Sequence, residues 1–506
     1  FVMQVFSQDQ ARYIDDLTIK LGKLSSIELM KNAGIKISEF LQKKYPNKKF
    51  VFVCGKGNNG GDGFAAALDL KIKNYEPVIF SLYTEKNLSD DTLYFYRKCL
   101  HHNIHIKNKL DTSLVENKTS VIIDCILGIG FEGELRAEIQ NWTKFINKFE
   151  NIVSADMPTG VQSNNGLVSK NAVKSSYTIA IGKAKLGSAI LPGKTYSGKI
   201  IPVDIDFVKG KKFDGINWNQ TETNYISSII PKTFDMTHKY KQGKVMIIAG
   251  SVGMTGAAYL ASLAALRSGA GLTVTCAPSS LNGIYENKIT EGLTLPCEDN
   301  GKGFFQFSNL KQILDSTEEC DSVLIGPGLG NHRSTLDLII ALYQNITKPL
   351  VIDADGLKPF NSDKSLFSKI NSDFAITPHM GELSRVLDLS SVEIINSFPN
   401  SIADFMNDFN GTLVAKYPSS IIVNNDNGYI NSTGNSGLAT AGSGDVLSGL
   451  IAGLAAQKIS MFHSCLIAVA VHGHAADMIV KNSSKKSLIA SDLLDVIPKA
   501  MAHYES

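Results

Sequence analysis

A run of small residues near the end of the chain, Gly442-Ser443-Gly444, leads into Asp445 and then into an apolar stretch that predicts a helix. The backbone N–H groups of such a loop, together with the positive end of the helix dipole, can bind phosphate oxygens. A carboxylate beside a bound phosphate can act as a general base toward a hydroxyl group. The run therefore predicts phosphoryl-transfer chemistry, with Asp445 as the base.

Three further polar motifs lie in the first half of the chain, each directly after a predicted strand. A glycine-rich loop at 55–63 follows the strand 50–54, an acidic and glycine-rich run at 124–134 begins at Asp124, and Asp156 follows the strand 152–155. Ligands of open α/β sheets bind beyond the carboxyl ends of the strands. We therefore expect these three motifs to line one binding site.

The glycine-rich loop also matches a dinucleotide-binding fingerprint, since Gly55, Gly57 and Gly60 have the required spacing between a strand and a helix. In that fingerprint an acid about 20 residues further on binds the ribose. No acid clearly ends the next strand at that distance, and Glu85 lies 30 residues after Gly55. A hydride-transfer Rossmann domain is therefore only the second choice for this half.

The elements that position these motifs are short β-rich runs alternating with helical patterns, which favours parallel sheets flanked by helices. A length of 506 residues predicts two domains. Strands are expected at 50–54, 77–82, 121–124, 152–155 and 177–181, and a second series at 244–249, 272–276, 322–325, 349–352, 374–376, 412–415 and 421–423. A polar, irregular segment near residues 210–225 separates the two predicted domains, which are residues 1–212 and 222–506.

Composition excludes several classes of protein. The net charge of +2 gives no electrostatic reason to expect nucleic acid or an acidic membrane as a partner. We find no 18-residue apolar stretch and no signal-peptide pattern. The seven cysteines contain no Cys-x-x-Cys pair, which argues for a reducing compartment and against a disulfide frame or a structural zinc site. These features predict a soluble cytoplasmic protein.

The motifs of the first half together resemble the N-terminal domain of NAD(P)H-hydrate epimerases, over roughly residues 1–208. This resemblance implies a Rossmann-like three-layer α/β/α domain and a potassium ion held by Asn59, Asp124 and Thr159. It implies that Asp156 takes part in proton transfer during inversion at C6. The implied substrate-binding residues are Asn58, Asn59, Gly60, Gly61, Asp62, Gly128, Ile129, Gly130, Phe131, Glu132, Gly133, Glu134 and Asp156.

The second half resembles the ribokinase-like superfamily, and most closely its NAD(P)H-hydrate dehydratase branch, over residues 225–503. The resemblance rests on Gly326-Pro327-Gly328-Leu329-Gly330, Thr377-Pro378-His379-Met380-Gly381-Glu382 and the Asp445 loop. It implies a ribokinase-like α/β domain in which the hydrated nicotinamide nucleotide contacts Ala257, Gly328, Gly330, His379 and Asp445. The implied nucleotide-binding residues are Lys416, Tyr417, Pro418, Ser419, Ser420, Asn435, Gly442, Ser443 and Gly444.

Three positions depart from the pattern of this branch. Ala441 stands where a glycine usually precedes the Gly-Ser-Gly-Asp run, Met380 replaces a proline after His379, and Tyr240 replaces a glycine after Lys239. A methyl group at 441 is tolerable unless that residue needs a positive φ.

The two resemblances imply a bifunctional enzyme that epimerises hydrated NADH and NADPH and dehydrates the S epimer, with ADP (or ATP) as phosphate donor. Magnesium is expected to bridge the phosphates, with Asp353 or Asp355 as its anchor. The resemblance further implies a homo-oligomer. Two alternatives stay open: a hydroxymethylpyrimidine- or thiazole-type kinase fused to a nucleotide-binding domain, and a first domain that senses nucleotides without turnover.

Overall fold

The structure, a computed structural model, describes residues 2–209, 213, 215–230, 242–417 and 419–505. These residues form two compact units. The N-terminal unit comprises Met3–Trp218 with the short segment Ser397–Pro399, and the C-terminal unit comprises Asn219–Asn396 and Asn400–Ser506. The division at Trp218 falls between the two domains predicted from the sequence, whose exact limits stay a prediction.

The N-terminal unit alternates strands and helices along the chain. Its strands are β1 (Met3–Phe6), β2 (Lys49–Cys54), β3 (Val78–Ser81), β4 (His105–Lys107), β5 (Ser120–Cys125), β6 (Ile152–Ala155), β7 (Tyr177–Ile181), β8 (Ala184–Lys185) and β9 (Lys199–Val203). Its helices are α1 (Gln8–Lys20), α2 (Ser26–Lys44), α3 (Asn58–Ile72), α4 (Asp90–His101), α5 (Ala137–Ile146), α6 (Leu186–Ala189) and α7 (Gly193–Ser197). Short 3-10 helices occur at Glu85–Asn87 and Thr112–Leu114.

The main sheet of this unit has the strand order β4-β3-β2-β5-β6-β7-β9, and every neighbouring pair is parallel. Alternate residues of β2 bury into different cores: Phe50 and Phe52 face a cluster that contains residues of α2, α3 and α4, whereas Val51 and Val53 face a cluster with residues of α5. Because both faces are covered, the strands read as continuous apolar runs. The unit is therefore a three-layer α/β/α sandwich, as predicted.

Strand β10 (Asn217–Gln220) crosses the division, and the C-terminal unit follows it. The helices of this unit are α8 (Thr223–Ile229), α9 (Thr255–Arg267), α10 (Asn282–Lys288), α11 (Leu310–Thr317), α12 (Arg333–Asn345), α13 (Met380–Leu387), α14 (Ser391–Ser397), α15 (Asn400–Asn407), α16 (Ser443–Ala456), α17 (Met461–Val480) and α18 (Ala490–Glu505). Its further strands are β11 (Lys244–Ile248), β12 (Leu272–Pro278), β13 (Leu293–Cys297), β14 (Ser322–Ile325), β15 (Leu350–Ile352), β16 (Phe374–Ile376), β17 (Thr412–Ala415), β18 (Ile421–Asn424) and β19 (Asn427–Ile430). Its 3-10 helices are Ser279–Leu281, Phe307–Asn309, Ala354–Asn361, Lys364–Lys369, Ser436–Leu438 and Lys485–Ser487.

Within this unit the strands follow the order β13-β12-β11-β14-β15-β16-β17-β18-β19. They are parallel as far as β17, and β18 and β19 then add an antiparallel hairpin. The parallel order places the ends of β14, β15 and β16 side by side at one edge of the sheet, where the motifs that follow them meet. The fold class predicted from the sequence, α/β with parallel sheets, is confirmed.

Helix α16 carries the Asp445 loop at its start, and every residue from Val446 to Ala456 is buried. It packs against α9 and α17. In the described part of the chain, α17 is a helix whose length and mean hydropathy of 1.3 would allow it to cross a membrane, but 67% of that window is buried inside the fold. The expectation of no long apolar stretch is therefore wrong for α17, because a core helix of small and aliphatic residues reaches the same hydropathy.

Candidate active sites

A cavity of about 600 Å³ lies at the carboxyl ends of the strands in the N-terminal unit. Residues from all three motifs of the first half line it, so the structure brings those motifs together as expected. The predicted residues that line the cavity are Asn58, Asn59, Asp62, Gly128, Ile129, Gly130, Phe131 and Asp156. Such a volume is typical of small-molecule sites.

Five predicted residues, Gly60, Gly61, Glu132, Gly133 and Glu134, are not among those that line the cavity. Gly61 packs against Met30, where a Cβ atom would come within 2.4 Å of the sulfur. The Glu134 carboxylate accepts hydrogen bonds from the Ser169 hydroxyl at 2.6 Å and from the Lys170 amide at 3.1 Å. These two positions thus support the shape of the loops around the cavity.

Asp156 occupies a turn directly after β6 with φ at +61°, in the left-handed region. Its carboxylate forms an ion pair with the Lys185 ammonium group and accepts a hydrogen bond from the Ile181 amide at 3.2 Å. The Lys185 side chain is only 3% exposed, so its charge is directed into the cavity wall. The turn and the ion pair together hold the Asp156 carboxylate in a fixed position.

Of the other carboxyl groups that line the cavity, Asp15 of α1 and Asp62 of α3 are affected by the Asp156 charge. Burial, reinforced by the Asp156 charge and opposed by Lys185, raises the pKa of Asp15 to about 7. Burial, with the charges of Asp156 and Asp15, raises the pKa of Asp62 well above its usual value. The cavity therefore combines a carboxylate paired with lysine and two carboxyl groups whose pKa values are raised by burial.

The residues predicted to hold potassium lie on neighbouring elements. The Asn59 side chain is buried, and neither of its amide atoms has a hydrogen-bond partner in the described residues. Asp124 is fully buried and accepts hydrogen bonds from Ser154, from the Ile126 amide, and from both the amide and the hydroxyl of Thr159. Burial outweighs these hydrogen bonds and raises the pKa of Asp124. A buried amide oxygen without a hydrogen-bond partner among the described residues fits a hard monovalent cation.

In the C-terminal unit, Asp445 lies in the first turn of α16, whose N-cap residue Gly442 has φ at +86°. Burial, with the charge of Asp353, raises the pKa of Asp445 to about 7, against the opposing effect of the Lys416 ammonium group. A carboxyl group with this pKa can accept a proton near neutral pH. The geometry of α16 thus places a candidate base beside amide groups at the start of a helix.

Lys416 follows β17, and its ammonium group lies 3.0 Å from Asp353 Oδ1. Burial alone would lower the pKa of Lys416, but the Asp353 and Glu382 carboxylates raise it above its usual value. A Cβ atom at Gly444 would lie 3.1 Å from the Lys416 nitrogen, so this cation reaches the glycine loop itself. Lys416 is therefore positioned to meet a phosphate held by that loop.

The predicted substrate-contacting residues of this unit lie around the same edge of the sheet. A Cβ atom at Gly328 would lie 3.0 Å from the Ala257 methyl group, and the Gly330 amide donates to Asp355 Oδ2 at 2.8 Å. Asp355 also pairs with Lys358 at 2.7 Å. His379 caps α13, with its Nε2 3.3 Å from Glu382 Oε1, and its backbone pairs with that of Lys416.

Residues of α17 that were not predicted from the sequence form hydrogen bonds with the loop before α16 and with the first residue of that helix. Asp477 of α17 accepts hydrogen bonds from the Gly434 amide and from the Asn435 side chain, both at 2.8 Å. His472 Nε2 lies 3.0 Å from the Ser443 carbonyl oxygen. Burial lowers the pKa of His472 to about 4, so its ring is neutral and can donate that hydrogen bond. Neither residue belongs to a sequence motif, so the sequence shows only that both lie in a predicted helix.

Comparison with known proteins decides the family. The model described as NAD(P)H-hydrate dehydratase matches residues 245–499, and the one described as YjeF-related protein N-terminus matches residues 26–187. The bifunctional NAD(P)H-hydrate repair enzyme Nnr of Moorella thermoacetica is 30% identical, covering 97% of this chain and 95% of that protein. The chain belongs to the family of bifunctional NAD(P)H-hydrate repair enzymes.

Two further similarities agree with this assignment. The repair enzyme Nnr of Dictyoglomus turgidum is 31% identical and covers 99% of this chain and 98% of its own length. A ribokinase-like superfamily protein of Enterococcus faecalis superposes with a TM-score of 0.50 at 22% identity, covering 59% of this chain and all of that protein. The latter shows the fold alone, which is ribokinase-like.

Two departures from the expected family pattern, Ala441 and Met380, cause no backbone strain. Ala441 is exposed and is not among the described residues with a positive φ. Met380 is the first residue of α13, a position that favours proline but does not require it.

The predicted nucleotide-binding residues after Lys416 are placed as follows. Tyr417 and Ser419 are buried, and the Ser420 carbonyl oxygen accepts a hydrogen bond from the Asn431 amide at 2.8 Å. Pro418 and Tyr240 lie outside the described residues.

Proposed function

We propose that the N-terminal unit interconverts the R and S forms of hydrated NADH and NADPH, and that the C-terminal unit dehydrates the S form with ADP as phosphate donor, giving AMP and phosphate. The observation that carries this proposal is the presence of two acid-bearing sites in one member of the repair-enzyme family. One site is the cavity around Asp156, and the other is the Asp445 loop.

In the dehydratase site, the substrate is a ring whose C6 atom carries a hydroxyl group. Asp445 takes the hydroxyl proton while the oxygen attacks the terminal phosphorus of ADP, and the bond from that phosphorus to the bridging oxygen breaks to release AMP. The amides of Gly442–Gly444 and the Lys416 ammonium group stabilise the negative charge on the transferring group. The C6–O bond then breaks to release phosphate as the N1 lone pair forms a double bond to C6. Transfer of a C5 proton to water forms the C5=C6 bond and restores the dihydropyridine ring.

We propose the nucleotide site at the residues predicted for it, namely Lys416, Tyr417, Pro418, Ser419, Ser420, Asn435, Gly442, Ser443 and Gly444. The proposed substrate contacts are Ala257, Gly328, Gly330 and His379. Asp353 and Asp355 each already hold a lysine, at 3.0 and 2.7 Å, and fit poorly as anchors for magnesium. We therefore propose that any magnesium enters the site already coordinated by the phosphates of the nucleotide.

In the epimerase site we propose Asp156 as the base, with the predicted substrate residues of the two glycine-rich loops around it. Asn59, Asp124 and Thr159 would hold potassium, which supplies a fixed positive charge that orders the loop ends. The Asn59 amide oxygen, which has no partner among the described residues, supports this choice.

We propose that the protein works in the cytoplasm, since all seven cysteines are buried free thiols. We propose a homo-oligomer as its assembly.

The test uses purified protein, a mixture of R and S NADH hydrate, and ADP, and follows the return of dihydronicotinamide absorbance. Wild-type protein should consume both epimers. Asp445→Asn should abolish dehydration and leave epimerisation intact, whereas Asp156→Asn should consume the S form and leave the R form at its uncatalysed rate. No return of absorbance with either ADP or ATP would refute the dehydratase proposal. A kinase reading predicts instead a stable phosphate ester.

A further inference from the structure

We propose that Asp15 of α1 is the proton donor that works with Asp156 in the epimerase cavity; this inference rests on the epimerase function proposed above. Asp15 precedes the segment 26–187 that the family model of this unit matches. It belongs to none of the three motifs that identify the site.

Helix α1 forms one wall of the cavity. Its residues Ala11, Arg12, Ile14, Asp15, Asp16 and Ile19 line it. A capping box between Ser7 and Gln10 begins the helix, and the Gln8 side chain donates to the Ile129 carbonyl oxygen at 2.7 Å. Ala11 and Ile14 pack with Phe6 in a small apolar cluster that includes Ile129. The helix is therefore fixed to the loop 128–134, and Asp15 has a defined position beside the site.

The charges around Asp15 come from several elements. The charges of Lys185, Asp156 and Asp16 act on Asp15, and the charge of Asp15 in turn raises the pKa of Asp62. The other titratable groups that line the cavity are Arg12, Lys56, Tyr83 and Asp91. Lys185 contacts the Asp156 carboxylate, and its charge lowers the pKa of Asp15 less than burial raises it. The ion pair favours negative charge on Asp156, whereas burial favours the protonated form of Asp15.

This division suits an exchange at C6 of the hydrate, because that carbon is bonded both to the hydroxyl oxygen and to the ring nitrogen N1. Asp156 takes the hydroxyl proton and the C6=O bond forms. The electron pair of the C6–N1 bond moves to N1, which takes the proton from Asp15. After rotation about C5–C6, N1 attacks the other face of the aldehyde and returns its proton to Asp15. Asp156 then returns its proton to oxygen, so both carboxyl groups end as they began.

Asp62 is a poorer candidate for this role, although it lines the same cavity. It is buried more deeply than Asp15, and burial, with the neighbouring charges of Asp156 and Asp15, raises its pKa well above its usual value. A general acid works best when its pKa lies near the working pH, because it must both release and recover its proton. Burial and Asp156 bring the pKa of Asp15 to about 7, which meets that condition.

The experiment measures epimerisation by the full chain, as the rate of R-epimer loss, against pH. For the wild type, kcat/KM should fall about tenfold per pH unit above pH 7, because the donor must be protonated. Asp15→Asn should lower kcat by about 10²- to 10⁴-fold, change KM little, and remove this limb. The matched control is Asp9→Asn, an exposed acid of the same helix outside the cavity, which should keep the wild-type rate and limb.

Dehydration of the S epimer by Asp15→Asn reports that the protein is folded, and Asp15→Glu, which retains a carboxyl group, should recover part of the rate and of the limb. A kcat within about threefold of the wild type, or an unchanged limb near pH 7, would overturn the assignment of Asp15. Loss of the limb in Asp62→Asn with retention in Asp15→Asn would do the same. A wild-type protein without epimerase activity would instead refute the proposed function.

Discussion

The glycine at the start of α16 offers a quantitative test of the phosphate loop. Gly442 has φ at +86°, and a Cβ atom there would lie 2.5 Å from Leu260 Cδ1 and 3.0 Å from the Ala490 methyl group. Gly442→Ala therefore adds two costs. An L residue in the left-handed region loses about 1–2 kcal/mol, and crowding the Leu260 and Ala490 side chains costs about 1–3 kcal/mol. The sum predicts a loss of about 2–5 kcal/mol.

The matched control is Gly301→Ala, in the same unit. Gly301 has φ at +72° with no atom within 4 Å of an added Cβ. It suffers the backbone cost alone, about 1–2 kcal/mol, and the entropy that alanine removes from the unfolded chain is common to both variants. The difference between the two variants is therefore the steric cost at Gly442, about 1–3 kcal/mol.

Differential scanning calorimetry of the full chain measures this difference. The transition that ADP moves to higher temperature belongs to the C-terminal unit, since a ligand stabilises the unit that binds it. At about 2 °C per kcal/mol for a unit of this size, Gly442→Ala should lower that midpoint by about 4–10 °C and Gly301→Ala by about 2–4 °C. Midpoints that agree within about 1 °C would refute the packing argument at α16.

Two further predictions concern charge at the sites. Dehydration should lose activity below pH 7 as Asp445 gains a proton, and Lys416→Met should move this limb to higher pH, because the Lys416 ammonium group lowers the pKa of Asp445; a limb that stays in place or moves to lower pH would contradict this. Removal of potassium should slow epimerisation by the wild type, and Asn59→Ala should abolish the response to potassium without affecting dehydration. A potassium response preserved in Asn59→Ala would exclude this residue as a ligand.

The parallel strands could be predicted closely from the sequence, because strands buried on both faces read as apolar runs. The predicted strands 152–155, 177–181 and 322–325 have the bounds of the structure. Among the strands that were missed is the short strand β4, which begins at His105. A three-residue edge strand with exposed and half-buried positions has no apolar run to mark it.

The candidate sites follow a similar rule. Residues in compact motifs, such as Asn59 and Asp445, were predicted, because a glycine-rich loop leaves a local signature. Asp15 and Lys185 reach the cavity from distant parts of the chain, and their positions become meaningful only after folding brings α1 and β8 to it. Asp353, one of the two residues predicted to anchor magnesium, pairs with Lys416, which lies 63 residues further along the chain.

The left-handed backbone at Asp156 limits which residues can be substituted there. Aspartate and asparagine tolerate this conformation better than other residues with a side chain, because their short polar groups bond locally. Glutamate keeps the charge but lacks this tolerance, so it is the less conservative replacement despite its chemistry. A saturation library at position 156 should therefore sort by backbone preference in stability and by acidity in turnover. Aspartate is the residue that satisfies both rankings.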